Sequence, residues 1–154
     1  IIIDPNGPRC GCGSKGCAEA LISHKGIVRT AFDILKKDKG SLLWGMMEGQ
    51  FDKLTPQLIQ EAAELGDPAA NKTRDITANY LGLLFADLIN TFNPEKILIS
   101  GGISRWGDSL LEPARKIAFR ISLKNLAKNV SIMRAKFYQK AGVIGAASIA
   151  MEIE

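Results

Sequence analysis

Three cysteines, Cys10, Cys12 and Cys17, lie within eight consecutive residues near the start of the chain. Thiolates this close together either form a strained disulfide or bind a metal ion. Two cysteines separated by one residue make a poor disulfide, because the chain between them can hardly reach the required geometry. Zinc takes four tetrahedral sulfur or nitrogen ligands, and the three glycines between the cysteines let the backbone wrap around an ion. The spacing therefore favours a zinc site at Cys10, Cys12 and Cys17 over a redox or disulfide role.

Other functions for this stretch are weaker. His24, the single histidine, could supply a fourth zinc ligand, but its position also suits the first turn of the next helix. The segment Gly11-x-Gly13-x-x-Gly16 formally matches a dinucleotide-binding fingerprint. That fingerprint should follow a strand directly, whereas the turn-forming residues 4–8 intervene here.

A second candidate site lies towards the other end of the chain. The apolar run Lys96–Ser100 predicts a strand, Gly101 and Gly102 follow at once, and a helix is predicted to begin near Gly107-Asp108. Glycines allow a ligand to approach the backbone, and a following helix N-terminus favours phosphate. Gly142, near the start of a small-residue helix over residues 141–151, could also face a nucleotide. The alternatives are an ordinary turn at Gly101-Gly102 and tight helix packing at Gly142.

The elements that position these residues are predicted mainly from caps and apolar spacing. Ser23 is expected to cap a helix that ends at Gly40, and Thr55-Pro56 and Asp67-Pro68 are strong helix starts. The second of these should open a helix reaching about Phe92, roughly 36–39 Å long. Trp44 is assigned to packing in a short helix, although stacking on a sugar remains an alternative. Predicted strands at residues 1–3, 96–100 and 129–136 complete an α/β chain with a large helical share.

Composition restricts the class of protein. The chain has 154 residues, 46% of them apolar, and a net charge of +4, which is typical of one globular domain. The basic residues are dispersed, with a single short cluster at residues 36–39, so they do not indicate a nucleic-acid surface. No apolar run approaches the roughly 18 residues of a membrane span. Clustered thiols without partners elsewhere favour a reducing, cytoplasmic compartment.

The segment Cys-x-Cys-Gly-x-x-Gly-Cys-x-Glu, covering residues 10–19, resembles the signature of the ROK family. This family contains bacterial sugar kinases and sugar-responsive transcriptional repressors. The turn at residues 4–8, the segment 93–104 and the helix at 141–147 are similar to the family as well. The resemblance therefore extends over essentially the whole chain in the expected order.

The resemblance implies the C-terminal half of an actin/hexokinase-like (ribonuclease H-like) ATPase fold with a zinc-binding loop. It implies a zinc and sugar loop at residues 1–24, a helical region at 25–93 and a βαβα nucleotide-binding region at 94–154, all in one domain. Glu19 would hydrogen-bond sugar hydroxyls, and Gly101, Gly102 and Gly142 would approach ATP. The fourth zinc ligand would be a histidine at or next to the position before Ile1.

One feature of the family's kinases is missing from this sequence. Their general base is the aspartate of an Asn-Asp pair upstream of the cysteines, and no such pair occurs here. Because phosphoryl transfer needs a base and a metal-bound nucleotide, the chain alone is expected to be inactive.

Three functions remain open at this point. The first is part of an ATP- and magnesium-dependent kinase for a hexose or amino sugar. The second is the sugar-sensing part of a repressor that would bind DNA through a separate helix-turn-helix, and the third is a zinc-stabilised structural module. The resemblance further implies a homo-oligomer, either a dimer or a tetramer, with no membrane partner.

Overall fold

The computed structural model describes residues 1–137 and 140–151. It contains helices, two short 3-10 helices and a small parallel sheet. The predicted nucleotide-binding region, residues 94–154, includes residues 138–139 and 152–154, which lie outside the described residues. The elements, in chain order, are α1 (Ala18–Ile22), α2 (His24–Leu35), α3 (Leu43–Met46), a 3-10 helix (Phe51–Lys53), α4 (Pro56–Glu64), α5 (Pro68–Phe92), β1 (Lys96–Ile99), a 3-10 helix (Gly102–Trp106), α6 (Asp108–Ile121), α7 (Lys124–Ala127), β2 (Ser131–Arg134) and α8 (Ala141–Met151).

Helix α5 is the central element of the structure. It has 25 residues and contacts α1, α2, α4, α6 and α7. The predicted start at Asp67-Pro68 is confirmed: the Asp67 carboxylate accepts a hydrogen bond from Ala70 N at 2.8 Å. At the other end Asn93 adopts a left-handed conformation with φ 44° and ends the helix. Although α5 is long, no helix among the described residues is both long and apolar enough to cross a membrane.

The Asp67 carboxylate also fixes the segment that precedes α3. The side chain is only 2% exposed. Besides capping α5, it accepts hydrogen bonds from Ser41 Oγ at 3.1 Å and from Leu42 N at 2.7 Å. A buried carboxylate is tolerated because several donors replace its water shell. Asp67 therefore joins a loop to the start of the central helix across 25 residues of sequence.

Strands β1 and β2 pair in parallel, from Lys96 opposite Ser131 to Ile99 opposite Arg134. The predicted strands are confirmed with shorter bounds, and α6 provides the expected crossover between them. Ile97, Ile99 and Ile132 are buried within the main apolar core. On the opposite face Leu98 and Met133, which are paired in register, stay 58% and 39% exposed.

Helix α6 lies very close to α5 where the two cross at Gly82. An ideal Cβ on Gly82 would lie 2.7 Å from Ile117 Cβ and 2.9 Å from the Ala114 carbonyl oxygen. Both distances are shorter than real Cβ contacts allow, so only glycine fits at this position. The missing side chain lets the α6 backbone lie against α5, and the buried residues Leu110, Leu111 and Ala118 of α6 complete the contact.

Several local predictions are wrong in detail. Residues 1–3 were expected to end a strand, but only an isolated antiparallel bridge between Ile2 and Cys17 forms, because neither described strand pairs with them. Helix α2 ends at Leu35 rather than at Gly40, since Gly40 N instead hydrogen-bonds the Asp38 side chain at 3.0 Å.

None of the 11 residues of helix α8 is buried. Apart from Ser148 it consists of glycine and apolar residues, and Val143, Ile149 and Met151 are 76%, 63% and 80% exposed. The bounds of α8 confirm the helix predicted for residues 141–151. The tight packing offered as one role for its small residues is absent from the described structure.

The Gly82 crossing generates a stability prediction. Gly82→Ala should destabilise the protein by a net ~1–2 kcal/mol, because the cost of overpacking exceeds the gain in helix propensity. Gly45→Ala is the matched control: Gly45 also lies in a helix, but a Cβ there has no atom within 4 Å. Denaturant unfolding of both variants is the measurement. If the two substitutions had equal effects on the free energy of unfolding, the close approach at Gly82 would not limit stability.

Candidate functional site

The cysteine-containing loop, residues 3–17, is held by backbone hydrogen bonds. Arg9 and Lys15 form an antiparallel bridge, and inside it Cys10 N donates to Ser14 O at 2.8 Å and Gly13 N donates to Cys10 O at 3.1 Å. Two glycines make this path possible, since Gly13 and Gly16 have φ angles of 91° and 64°. The loop ends at Cys17, which immediately precedes α1.

This path brings the three cysteine side chains together. Their sulfur atoms lie within 4.8 Å of one another, and Cys12 Sγ is 3.6 Å from Cys17 Sγ. In tetrahedral zinc coordination with Zn–S bonds of about 2.3 Å, adjacent sulfur atoms lie about 3.8 Å apart. The three thiols are free of disulfide bonds. The donor set is thus compatible with zinc, with one of four tetrahedral positions left for another ligand.

The thiols have unequal acidities. Hydrogen bonds lower the pKa of Cys12 to about 7. The bond from the backbone N–H of Ser14 has the largest effect, and those with Cys17 and Cys10 have smaller ones. The pKa of Cys17 is raised to about 11, mainly by its hydrogen bond with Cys12 and to a smaller extent by desolvation. At neutral pH Cys17 therefore keeps its proton until a metal displaces it. Metal binding at this loop should accordingly weaken as pH falls.

Glu19 lies in the first turn of α1, two residues after Cys17, and is exposed to solvent. It lines a cavity of about 600 Å³ together with the three cysteines. The short helix that carries it is fixed by its neighbours: Leu21 is buried, and the Arg29 guanidinium donates a hydrogen bond to the Ala20 carbonyl. The structure thus places the predicted metal ligands and the predicted sugar ligand around one cavity.

Gly102 lines a second cavity, of about 260 Å³, between the start of α2, helix α4 and the 3-10 helix that follows β1. Beside it, Gly101 takes a φ of 77°, and its carbonyl oxygen accepts a hydrogen bond from the buried Ser104 Oγ at 2.6 Å. Ser23 lines both this cavity and the one that contains Glu19. The two sites predicted separately from sequence are therefore neighbours with a shared wall.

The other candidates are placed elsewhere. His24 lies outside the cysteine cluster; it opens α2 and lines the Gly102 cavity. Gly142 sits exposed on α8 with no atom within 4 Å of an added Cβ, and it does not line the cavity of Gly102. Trp44 donates from Nε1 to the Asp38 carbonyl oxygen at 2.8 Å and packs edge-on against Phe51, in agreement with its assignment to packing.

Sequence reasoning missed several polar residues that line the cavities. Three basic side chains border the Glu19 cavity, and two glutamines of α4 border the Gly102 cavity. The i, i+4 spacing of two of the basic residues on α2 could have indicated a common face, but no local signal directs that face towards Glu19. These residues are Arg9, Lys25 and Arg29 in the first cavity and Gln57 and Gln60 in the second.

Comparison with known proteins agrees with this arrangement. The model of the ROK family matches residues 1–153. The chain belongs to the ROK family. A glucokinase of Thermotoga maritima is 34% identical over 152 residues, covering 99% of this chain and 48% of that protein. The Escherichia coli regulator NagC is 30% identical over 144 residues, covering 93% of this chain and 34% of NagC.

Solved structures show the same fold in both kinds of ROK protein. A ROK family glucokinase from Streptomyces griseus, in complex with glucose and AMPPNP, superimposes with a TM-score of 0.80 at 32% identity, covering 97% of this chain and 49% of that one. A ROK transcriptional regulator homologous to E. coli MLC also gives 0.80, at 33% identity, with 96% of this chain and 36% of that one covered. The predicted actin/hexokinase-like fold is thereby confirmed. The chain spans about half the length of the kinases it matches and about a third of the regulators.

Gly16 generates the prediction for the metal loop. A Cβ at Gly16 would lie 1.5 Å from the Asp4 carbonyl oxygen, and its φ is unfavourable for any side chain. If the intact protein binds zinc at the three cysteines, Gly16→Ala should therefore lose most of it. Gly11→Ala, whose Cβ meets open space, should keep it. Elemental analysis of both proteins purified under reducing conditions is the measurement, and equal zinc content in the two would contradict the loop geometry.

Proposed function

We propose that the protein is a ROK-family sugar kinase that transfers a phosphoryl group from ATP to a hydroxyl of a hexose or amino sugar. The observation that carries this proposal is the wall shared at Ser23 between the cavity of Glu19 and the cavity of Gly102. A phosphoryl acceptor and a nucleotide must lie side by side for in-line transfer. Two adjoining cavities, one with a carboxylate and one with a glycine loop, suit that requirement.

In this proposal Glu19 binds the sugar. Its carboxylate would accept hydrogen bonds from sugar hydroxyls, and such charge-assisted bonds are stronger than neutral ones. Cys10, Cys12 and Cys17 would hold a structural zinc ion with a fourth ligand from outside the described residues. Because Cys17 precedes Glu19 by two residues, a metal-fixed loop would limit the positions open to the Glu19 carboxylate.

Gly101 and Gly102 would approach the phosphates of ATP, with Mg²⁺ bound to the nucleotide. The positive φ of Gly101 and the absence of any atom near a Cβ at Gly102 leave room for a ligand beside the backbone. Gly142 is assigned to the nucleotide as well. The general base that accepts the proton of the sugar hydroxyl is not among the residues assigned here. In this division residues 1–24 bind zinc and sugar, 25–93 form the helical region, and 94–154 bind nucleotide within one domain.

A sugar-sensing domain of a transcriptional repressor is the second candidate, favoured by the similarity to NagC and to the MLC homologue. In that case the same Glu19 cavity would bind sugar, and DNA would be bound through a separate segment. Sugar binding would then shift the protein between two states with different DNA affinity. Turnover of sugar and ATP by the intact protein distinguishes a kinase from a sensor.

We also propose a cellular compartment and an oligomeric state for the protein. Three thiols that must stay reduced to hold a metal suit the cytoplasm. We further propose that the intact protein assembles as a dimer or tetramer of identical chains. Sedimentation of the intact protein tests this assembly independently of activity.

The role of Glu19 yields a prediction about sugar affinity. Glu19→Gln should weaken sugar binding by roughly one to two decades, about 1.5–3 kcal/mol, because a neutral amide replaces a charged acceptor. Zinc content and thermal stability should hardly change, since the side chain is exposed. Titration calorimetry of the intact, zinc-loaded protein is the measurement, with Glu61→Gln, an exposed glutamate of α4, as control. Unaltered affinity in Glu19→Gln would make Glu19 an ordinary surface carboxylate.

The role of Gly102 yields a prediction about nucleotide affinity. A Cβ added at Gly102 meets no atom within 4 Å, so a substitution there should act mainly on a bound ligand. Gly102→Val should weaken ATP binding by at least about tenfold through overlap with the phosphates, while sugar affinity stays within twofold. Nucleotide and sugar titrations of the same preparation test this directly. An equal loss of both affinities would indicate misfolding, and no loss would exclude Gly102 from the nucleotide site.

A further inference from the structure

Tyr80 of α5 forms a long-range side-chain contact with the loop of residues 3–17. Its hydroxyl donates to Asp4 Oδ2 at 3.2 Å across 76 residues of sequence. We propose that Tyr80 is a positioning residue for the sugar site, holding this loop, and through it Glu19, against the central helix. This inference rests on the proposed function, because it assigns an effect on sugar binding to a residue outside the Glu19 cavity.

Asp4 is the residue around which the loop closes. Its Oδ1 accepts a hydrogen bond from Asn6 N at 3.1 Å, and its carbonyl oxygen accepts one from Gly7 N at 2.8 Å. Its own N–H donates to Gly16 O at 3.2 Å, and the Asp4 backbone lies directly over the Cα of Gly16. Any displacement of Asp4 therefore moves Gly16, and with it the adjacent ligand Cys17.

Tyr80 fixes the part of the loop that α1 does not hold. After the cysteines, the chain is anchored by the buried Leu21 of α1, which packs with α5. Before the cysteines, Asp4 is tied to α5 by Tyr80. Both ends of the cysteine segment thus rest on one rigid helix, whose buried residues Thr77 and Leu81 flank Tyr80. Such support reduces the freedom that zinc or sugar binding would otherwise have to restrict.

Tyr80 acts through Asp4 and not by contact with the sugar. It lines a surface cavity between α2 and α5, which adjoins the cavity of Glu19 and the cysteines at Arg29. Tyr80 itself does not line the Glu19 cavity. Desolvation, together with the neighbouring Asp4 carboxylate, raises the pKa of Tyr80 above its usual value. The phenol therefore remains a hydrogen-bond donor throughout the physiological pH range.

The test is Tyr80→Phe in the intact protein, which removes the hydroxyl and keeps the ring. Loss of a hydrogen bond to a carboxylate should make amide hydrogen exchange in residues 3–17 about tenfold faster and should weaken sugar affinity up to about tenfold. The KM for sugar should rise while kcat at saturating sugar changes less than twofold. Exchange in α4 and the affinity for ATP should not change.

Two further variants separate positioning from general destabilisation. Lys72→Ala removes a side chain that lines the same surface cavity as Tyr80, and it should alter neither loop exchange nor sugar affinity. In an Asp4→Asn background, which replaces the charged acceptor, adding Tyr80→Phe should have less effect than in the wild type. A full, undiminished effect of Tyr80→Phe in that background would overturn the route through Asp4.

The outcomes for the proposed function and for this inference are distinguishable. If the wild-type protein binds no sugar, the proposed function fails, while the exchange rate of residues 3–17 still decides whether Tyr80 holds the loop. If the wild type binds sugar and Tyr80→Phe changes neither loop exchange nor sugar affinity, the inference is wrong. It is also wrong if Tyr80→Phe accelerates exchange equally in the loop and in α4.

Discussion

The structure depends on the close crossing of α5 and α6 at Gly82. Helix α6 and the β1–β2 pair contribute buried residues to one apolar core, and Arg115 of α6 donates a hydrogen bond to the Ile132 carbonyl of β2. The distance of α6 from α5 therefore affects how the sheet meets the rest of the core. A side chain at Gly82 would meet Ile117 and the Ala114 carbonyl, and well-packed interiors relax only partly around added volume. Because β1 leads directly into Gly101, this packing also determines where the glycine loop lies.

The same helix has a comparable role for the cysteine-containing loop. Asp67 caps the helix and binds the segment before α3, while Tyr80, midway along the helix, reaches Asp4. The two cavities that meet at Ser23 are thus supported from one helix, although their residues come from opposite ends of the sequence. In the proposed kinase, a common rigid support would keep sugar and nucleotide in register for phosphoryl transfer.

Local chemistry made much of this predictable from the sequence. The pairs Thr55-Pro56 and Asp67-Pro68 determined helix starts because an N-cap depends on a few neighbouring residues, and the cysteine cluster is formed by residues adjacent in sequence. Features that depend on distant partners were not predictable. Residues 1–3 would form a strand only beside a partner strand. The close packing at Gly82 depends on α6, which comes later in the sequence. The contact of the two cavities at Ser23 depends on how α2 packs against α4. The assignment of Glu19 came from family resemblance, since a single glutamate does not stand out by spacing. The strand–glycine–helix pattern had already indicated Gly101-Gly102 as a ligand loop, with an ordinary turn as the alternative.

Helix α8 has a thermodynamic consequence of its own. Since none of its residues is buried, its folding is weakly coupled to the cooperative unfolding of the core, and an 11-residue helix in water is only marginally stable by itself. Its amides should then open locally, at a free-energy cost far below that of global unfolding. Any surface that covers Val143, Ile149 and Met151 would therefore both bury apolar area and convert α8 from a fluctuating segment into part of the cooperative unit.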